Sequence, residues 1–520
     1  MTMNSNLITK CIGTAILLAV IGGGAVFFFK KKERDMVVTY STSDAKDLKG
    51  EVSVALDSWI GYFPFHSTVF GKLMRDAGYR VKIFDDKADY PRRMNMLKKG
   101  KIDFAVCTVD SYLLSGRAAG YPGIIIAVLD ESKGGDAVLA WKESVADLNQ
   151  LSTKKDLKIA YTPASPSEHL LKSLAVHFAI DRLKGNRSSW SVEVDGSEEA
   201  YRRLINREVD IAVLWEPYVT EALGIPGIVK LIGSEDVEKL IVDILLVNRN
   251  FARNNPEVVK LVVKSWFETL GIYGEAKDQL ENDIIQSIKF PRERVKAMLR
   301  GVRWVPFSEN TRWFGLNASS AHSSPELIES ITSTTGILVE SGDFSGNPLP
   351  DGDPYTIVNS GFIAALESDS SLRNFSGGSA GNSLTKKFSR LSDEQWEGLR
   401  VVGSLRLRPV SFRSGTESLD ENGKEQLRLI VNSIRHYPNY RILVKGHTGL
   451  RGDPAENRKL SSMRAESVCR DLVFTYGIDT NRILVRGMGA MEPLPQEEDE
   501  SDRSYNNRLK RVEVLFLTVR

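Results

Sequence analysis

Cysteine is scarce in this chain of 520 residues: there are three, Cys11, Cys107 and Cys469. They lie far apart in segments of different character, which argues against a disulfide framework and leaves each as a small apolar residue. Histidine is also scarce, six in all, and none has the paired spacing of zinc ligands. No phosphate-binding loop and no Ser, His and Asp set stands out, so the chain reads as a binding protein without a cofactor, not an enzyme. Excess charge is lacking too: 69 Lys and Arg stand against 67 Asp and Glu, a net +2. With no long basic run beyond Arg34, nothing points to a nucleic-acid partner. No internal repeat is visible, and the acidic cluster 497–500 reads as a solvated loop. What is there is ordinary globular composition, 42% hydrophobic and 26% charged, in a chain long enough for two or three domains.

The first forty residues carry an apolar stretch, Cys11 to Phe29, with no charge and enough length to span a bilayer. Gly22-Gly23-Gly24-Ala25 imitates a cleavage site, but Val26-Phe27-Phe28-Phe29 continues the run, which favours a retained anchor over 1–35. Lys10 stands before Cys11, where a lipoprotein needs a small residue. Residues 36–49 read as a short linker. Lys30, Lys31, Lys32 and Arg34 follow the span while Lys10 precedes it, so flanking charge alone would keep the chain inside. Long domains translocate regardless of such charge, and the domains themselves must decide the orientation.

Residues 50–365 alternate short apolar runs with helical periods, the pattern of α/β layering. Strands are expected at Val52–Leu56, Arg80–Phe84, Ile102–Cys107, Ile124–Leu129, Lys158–Tyr161, Ile211–Leu214 and Leu240–Val247. The alternation breaks near Lys142 and again near Asp243, as when a chain crosses twice between two lobes. Three segments carry a resemblance: Trp59-Ile60-Gly61-Tyr62 after the first strand, Leu97 to Ala105, and Asp210 to Val219. They resemble periplasmic solute-binding proteins of the nitrate, sulfonate, taurine and thiamine-precursor group. The resemblance implies a two-lobed periplasmic-binding-protein fold with a small polar solute held between the lobes.

A cleft of that kind gathers its ligand at the C-terminal ends of strands. That selects Ser58, Trp59, Tyr62, Thr108, Asp110, Asp136, Thr162, Ser165, Trp215, Glu216 and Asp243 as ligand-binding candidates, with Gly134 and Gly135 beside them. Ser165-Pro166-Ser167-Glu168 has the form of a capping box, in which Ser165 serves the helix and Glu168 offsets its positive end. The neighbouring loops carry Asp57, Asp110, Asp136, Glu216 and Asp243 against His66 and Lys133. A cation, amine or zwitterion is therefore as reasonable a ligand as nitrate or a sulfonate.

Residues 366–387, rich in Ser and Gly, read as a flexible linker. Beyond it, over 388–520, strands are expected at Ser404–Phe412, Arg441–Gly446, Ile483–Gly487 and Val512–Val519, with helices at Gly423–Tyr437 and Leu460–Tyr476. Gly446-His447-Thr448, Gly452, Asn457, Leu460-Ser461, Arg464-Ala465, Val468, Gly477-Ile478, Gly487, Gly489 and Arg511-Val512-Glu513 resemble the OmpA-like, MotB-like domain. That resemblance implies an α+β fold that binds peptidoglycan, with Thr448, Asn457 and Arg464 as candidates. Arg464 matches the family Arg that holds the wall peptide's diaminopimelate carboxylate. Gly449 stands where the family has the Asp for its ammonium, and Leu509 where it has Asn, which weakens the expected wall affinity. Asp453 is a candidate substitute.

Together these readings give an inner-membrane, single-pass protein with most of the chain in the periplasm, contacting a solute, peptidoglycan and a membrane protein partner. Two alternatives remain: a structural or motor-associated envelope scaffold without a transport role, and a conventional ABC-importer substrate-binding subunit. Motor stators carry a carboxylate in the span, and Cys11 to Phe29 has none.

Overall fold

The computed structural model describes residues 38–41, 48–154, 156–178, 180–184, 187–316, 324–373, 387–405, 410–413 and 416–519. The expected anchor at 1–35 lies outside them. Among the described residues no helix is long and apolar enough to cross a membrane.

Short, β-branched and apolar runs form the strands. Twelve precede the linker: β1 (Val38–Ser41), β2 (Gly50–Leu56), β3 (Tyr79–Asp85), β4 (Phe104–Thr108), β5 (Gly123–Ser132), β6 (Asp136–Trp141), β7 (Ile159–Tyr161), β8 (Ser191–Glu193), β9 (Ile211–Trp215), β10 (Ile228–Gly233), β11 (Val242–Asn248) and β12 (Val302–Trp304). They make two sheets, seven strands in the order β1-β3-β2-β4-β11-β5-β12 and five in the order β10-β6-β9-β7-β8. The first is parallel through β3, β2 and β4, with β11 antiparallel to β4 and β5. In the second, β7 runs parallel to β8 and β9, while β6 opposes β9 and β10. Successive side chains of β6 and β9 go to opposite faces. Ala137, Leu139, Ala212 and Leu214 enter one apolar cluster, and Val138, Ala140, Ile211 and Val213 the other.

The chain passes between the sheets at Lys133-Gly134-Gly135 and returns through 234–241. The return is where it was expected, just before Asp243. The outward crossing is not near Lys142 but some residues earlier. The run Ala137-Val138-Leu139-Ala140-Trp141 is fully buried in the second sheet, so the crossing has to precede it. The two crossings are tied together by Ser234, whose Oγ accepts from Gly134 N at 2.8 Å and lies 2.7 Å from Ser132 Oγ. Gly134 has φ +109°, a conformation that a side chain would strain.

The first part of the expected linker is attached to the two-sheet domain. A helix at Ser370–Arg373 follows an ion pair of Lys264 with Asp369 at 2.7 Å, and Ser371 Oγ donates to Glu268 at 2.8 Å. A tether can begin only after residue 373, and 374–386 lie outside the described residues.

The C-terminal domain has β13 (Arg400–Ser404), β14 (Arg441–His447), β15 (Ile483–Gly489) and β16 (Val512–Thr518), in the order β13-β16-β14-β15. Helices Glu421–His436 and Pro454–Phe474 accompany them. The second begins six residues before the expected Leu460. Asp453 caps it by accepting from Ala455 N and Glu456 N, and Pro454 supplies a preformed first turn. β13 starts at Arg400 and ends at Ser404, where the expected strand begins; residues 406–409 lie outside the described set.

This domain packs on the second sheet's side of the molecule and on the return crossing. His177 Nδ1 lies 2.7 Å from the Tyr437 hydroxyl, and the His177 and His436 rings stack at 5.8 Å. Glu238 N donates to His436 O at 2.6 Å, and Asn439 Nδ2 donates to Glu235 O at 2.7 Å. Phe178 meets Tyr437 edge-on, so one apolar cluster runs through both domains.

Candidate functional site

An opening is lined by Asp57, Trp59, Tyr62, Tyr90, Thr108, Asp136, Pro166, Trp215, Ile241 and Asp243. Both sheets and the return crossing contribute. Register explains how. Asp243 on β11 lies opposite Thr108 on β4 and opposite Asp130 on β5, so three polar residues form a row across the first sheet. Asp136 on β6 faces Trp215 on β9, at the edge of the second sheet.

The turn after β2 brings the aromatic groups. Trp59 is held by its backbone N–H on Asp57 Oδ1 at 3.1 Å and by its indole N–H on Asp130 Oδ1 at 3.0 Å. Its ring lies against the outward crossing: a Cβ added to Gly135 would sit 2.2 Å from Trp59 Cη2. Gly61 is equally constrained, since a Cβ there would meet the Trp59 indole nitrogen at 2.3 Å and Asp130 Oδ2 at 2.6 Å. The Tyr62 hydroxyl donates to Asp243. Tyr90 donates to Asp57 at 3.4 Å.

Buried carboxyls dominate the electrostatics. Arg93, fully buried, donates to Asp57 at 3.0 Å and to Asp86 at 2.7 Å through Nε, and also to Val106 O. Burial pushes Asp130 up to about 7 against its hydrogen bonds from Trp59 and Asp243. Burial, then the neighbouring Asp130, raises Asp243 well above the usual carboxylate range. Burial raises Asp136 to about 7 and Asp110 to about 6. Glu131 behaves oppositely: burial would raise it, but Lys133 and Arg303 bring it down to about 2. Asp130 Oδ2, Asp136 Oδ1 and Asp110 Oδ1 are buried without a hydrogen-bond partner.

Of the eleven cleft candidates, Trp59, Tyr62, Thr108, Asp136, Trp215 and Asp243 are brought together around the opening. Ser58 points to solvent. Asp110 is buried in the first turn of helix Val109–Ala119, outside the lining. Glu216 is taken up by Thr220, accepting from its N–H at 3.0 Å and its hydroxyl at 2.6 Å. Ser165 caps helix Pro166–His177, accepting from Ser167 N at 3.2 Å and donating to Thr162 O at 2.7 Å. The expected capping box is altered, because Glu168 accepts from Ala164 N rather than from Ser165 N. Thr162, buried with its hydroxyl unpartnered, is not in the lining.

Tyr90, Arg93 and Asp130 were missed. Asp130 had a signal, a charge ending the apolar run Ile124–Leu129. For Arg93, the start at Asp89-Tyr90-Pro91 announces a helix but not which of Arg92 and Arg93 faces inward.

In the C-terminal domain, Thr448 follows β14, its N–H donating to Gly489 O at 2.9 Å and its hydroxyl buried without a partner. Asn457 donates to Arg451 O at 3.1 Å, closing the loop before helix Pro454–Phe474. Arg464 lies on that helix, 5.1 Å from the Phe412 ring, with one long contact to Thr416 O at 3.4 Å. Burial lowers its pKa, and no carboxylate pairs with it among the described residues. Gly449 has no left-handed backbone, so its φ does not demand glycine. What stands in the way of a side chain is Asn506, whose Oδ1 would lie 2.2 Å from a Cβ at 449 and accepts from Leu450 N at 3.0 Å. Asp453 is committed to its helix cap. His447, Glu492 and Glu513 also come within 4.8 Å of one another, a grouping that sequence spacing did not show. Lys445 and Arg511 already pair with the two glutamates.

Residues 411–507 match the OmpA family, and through this domain the chain belongs to that family. The chain is 31% identical over 121 residues to the outer-membrane lipoprotein YfiB of Pseudomonas aeruginosa, covering 23% of this chain and 67% of that one. It is 30% identical over 101 residues to outer membrane porin F of the same organism, covering 19% of this chain and 29% of the porin. It spans 46% of the probable lipoprotein YiaD of Escherichia coli, at 30% identity and 19% of its own length. Among solved structures, the alkanesulfonate-binding protein SsuA of Xanthomonas axonopodis pv. citri aligns over 61% of this chain and 100% of that one, at 14% identity and a TM-score of 0.47.

Proposed function

We propose that this chain is a cell-envelope receptor that binds a small polar solute between its two sheets and peptidoglycan through its C-terminal domain. The reading includes a retained inner-membrane anchor within 1–35, the remainder of the chain in the periplasm, and a membrane protein partner that senses whether the cleft is occupied. The observation that carries it is the pocket itself. It lies where two sheets joined by two adjacent crossings meet, and it is lined by aromatic rings and buried carboxyls from both. Such an arrangement binds by closing two lobes on a hinge, and small solutes bind in clefts of this kind.

Wall binding is supported by family membership and by Arg464, a partly buried guanidinium with no carboxylate partner among the described residues. A planar guanidinium is suited to a bidentate contact with a peptide carboxylate. Native mass spectrometry of the full-length protein, purified from its own envelope, tests the receptor reading. A small-molecule adduct is expected on wild type and absent from Trp59→Ala. An adduct-free wild type that takes up nothing from a cell extract would sink the proposal.

A further inference from the structure

The pocket is lined by three carboxyls, Asp57, Asp136 and Asp243, and by no Lys or Arg. Asp57 shares Arg93 with Asp86, so that trio keeps a negative balance. No Lys or Arg pairs with Asp136 or Asp243 among the described residues. Asp136 lines the opening, is 2% exposed, and its buried Oδ1 accepts no hydrogen bond. A buried acceptor left unmade is costly, and a donor arriving with a ligand recovers that cost. Around it stand Trp59, Tyr62, Tyr90 and Trp215, whose ring faces attract a cation.

Building on the solute-binding reading, we infer that the pocket's ligand is a protonated alkylamine, its N–H donating to Asp136 Oδ1 and its carbon chain lying among the aromatic rings. An anion would approach Asp57, Asp136 and Asp243 with no Lys or Arg in the lining to receive it. A quaternary ammonium would balance charge but bring no N–H to Asp136. Asp136 is raised to about 7 by burial, eased by the Ser132 hydroxyl and reinforced by Asp110, Asp130 and Glu216. An arriving ammonium favours the ionised carboxyl, so binding releases a proton and tightens as pH rises through about 7.

Titration calorimetry of the full-length protein with propylammonium chloride and with sodium propanesulfonate, equal chains with opposite heads, tests this. Propylammonium should bind and propanesulfonate should not. Asp136→Asn should weaken the amine by about tenfold to a hundredfold, the loss of one charged hydrogen bond, while still unfolding cooperatively. If Asp136→Asn does not fold, the two probes on wild type still decide the sign of the ligand. Propanesulfonate binding in place of the amine overturns the inference and leaves the receptor reading standing. Failure of both probes while a solute that is not an amine co-purifies has the same meaning. Failure of both probes with no co-purifying solute overturns both readings.

Discussion

Arg93 holds two carboxylates in the interior, and its loss would strand both Asp57 and Asp86. Removing one partner of a buried ion pair costs about 3–5 kcal/mol. Arg93→Met should lower stability by that order in urea unfolding, and a change below about 1 kcal/mol would show that water reaches the pair. At the wall site, Arg464→Ala should abolish sedimentation with purified peptidoglycan, since it removes the guanidinium proposed to hold the peptide carboxylate. Gly449→Asp alone should gain little, because Asn506 occupies the space; Gly449→Asp with Asn506→Ala should bind more tightly than wild type. Equal binding by all of these variants would place the wall contact elsewhere. Several residue types of the cleft were legible because strand ends announce themselves: Trp59 and Trp215 follow apolar runs, and Asp243 opens one. Arg93 and Asn506 were not legible, because each acts on a partner distant in sequence, through a rotation about a helix axis that one sequence does not fix.

At the scale of elements, the contact between helices Pro166–His177 and Glu421–His436 carries two imidazoles. Burial, then each other's charge, lowers His177 to about 3, and burial lowers His436. Both are neutral in the folded protein and bind protons more readily when released. Their contribution is therefore complete above the unfolded value of about 6.5 and is lost as pH falls below it. The buried Asp130 and Asp136 act in the opposite direction, losing stability as pH rises through about 7. The informative quantity is thus a difference: His177→Phe should flatten the fall in melting temperature between pH 7 and pH 5 relative to wild type. An unchanged slope would mean that the interface does not bury these rings in solution. Asp453→Ala should cost about 1 kcal/mol through the lost cap. Strand positions were readable from apolar alternation, whereas the start of helix Pro454–Phe474 was placed late because its first turn is polar. The outward crossing was misplaced for the converse reason. Ala137 to Trp141 is apolar on both faces and gives no alternation to mark it as a strand of a new sheet.

The whole molecule couples its parts through the return crossing, which lines the cleft through Ile241 and receives the C-terminal domain at Glu235 and Glu238. A Ser- and Gly-rich segment before that domain promised independence. Its docking rests on Tyr437, Phe178 and Phe516, apolar groups whose mutual contact no linear pattern reveals. An export-dependent reporter fused after Arg520 should be active, despite Lys30 to Arg34. The central claim, that one chain carries a solute site and a wall site, is tested most directly by sedimenting full-length protein with purified peptidoglycan and assaying the pellet for bound solute. Wild type should pellet with its solute, Trp59→Ala should pellet without it, and Arg464→Ala should keep its solute in the supernatant. Wild type that pellets without any solute, or variants that partition alike, would contradict the two-site account.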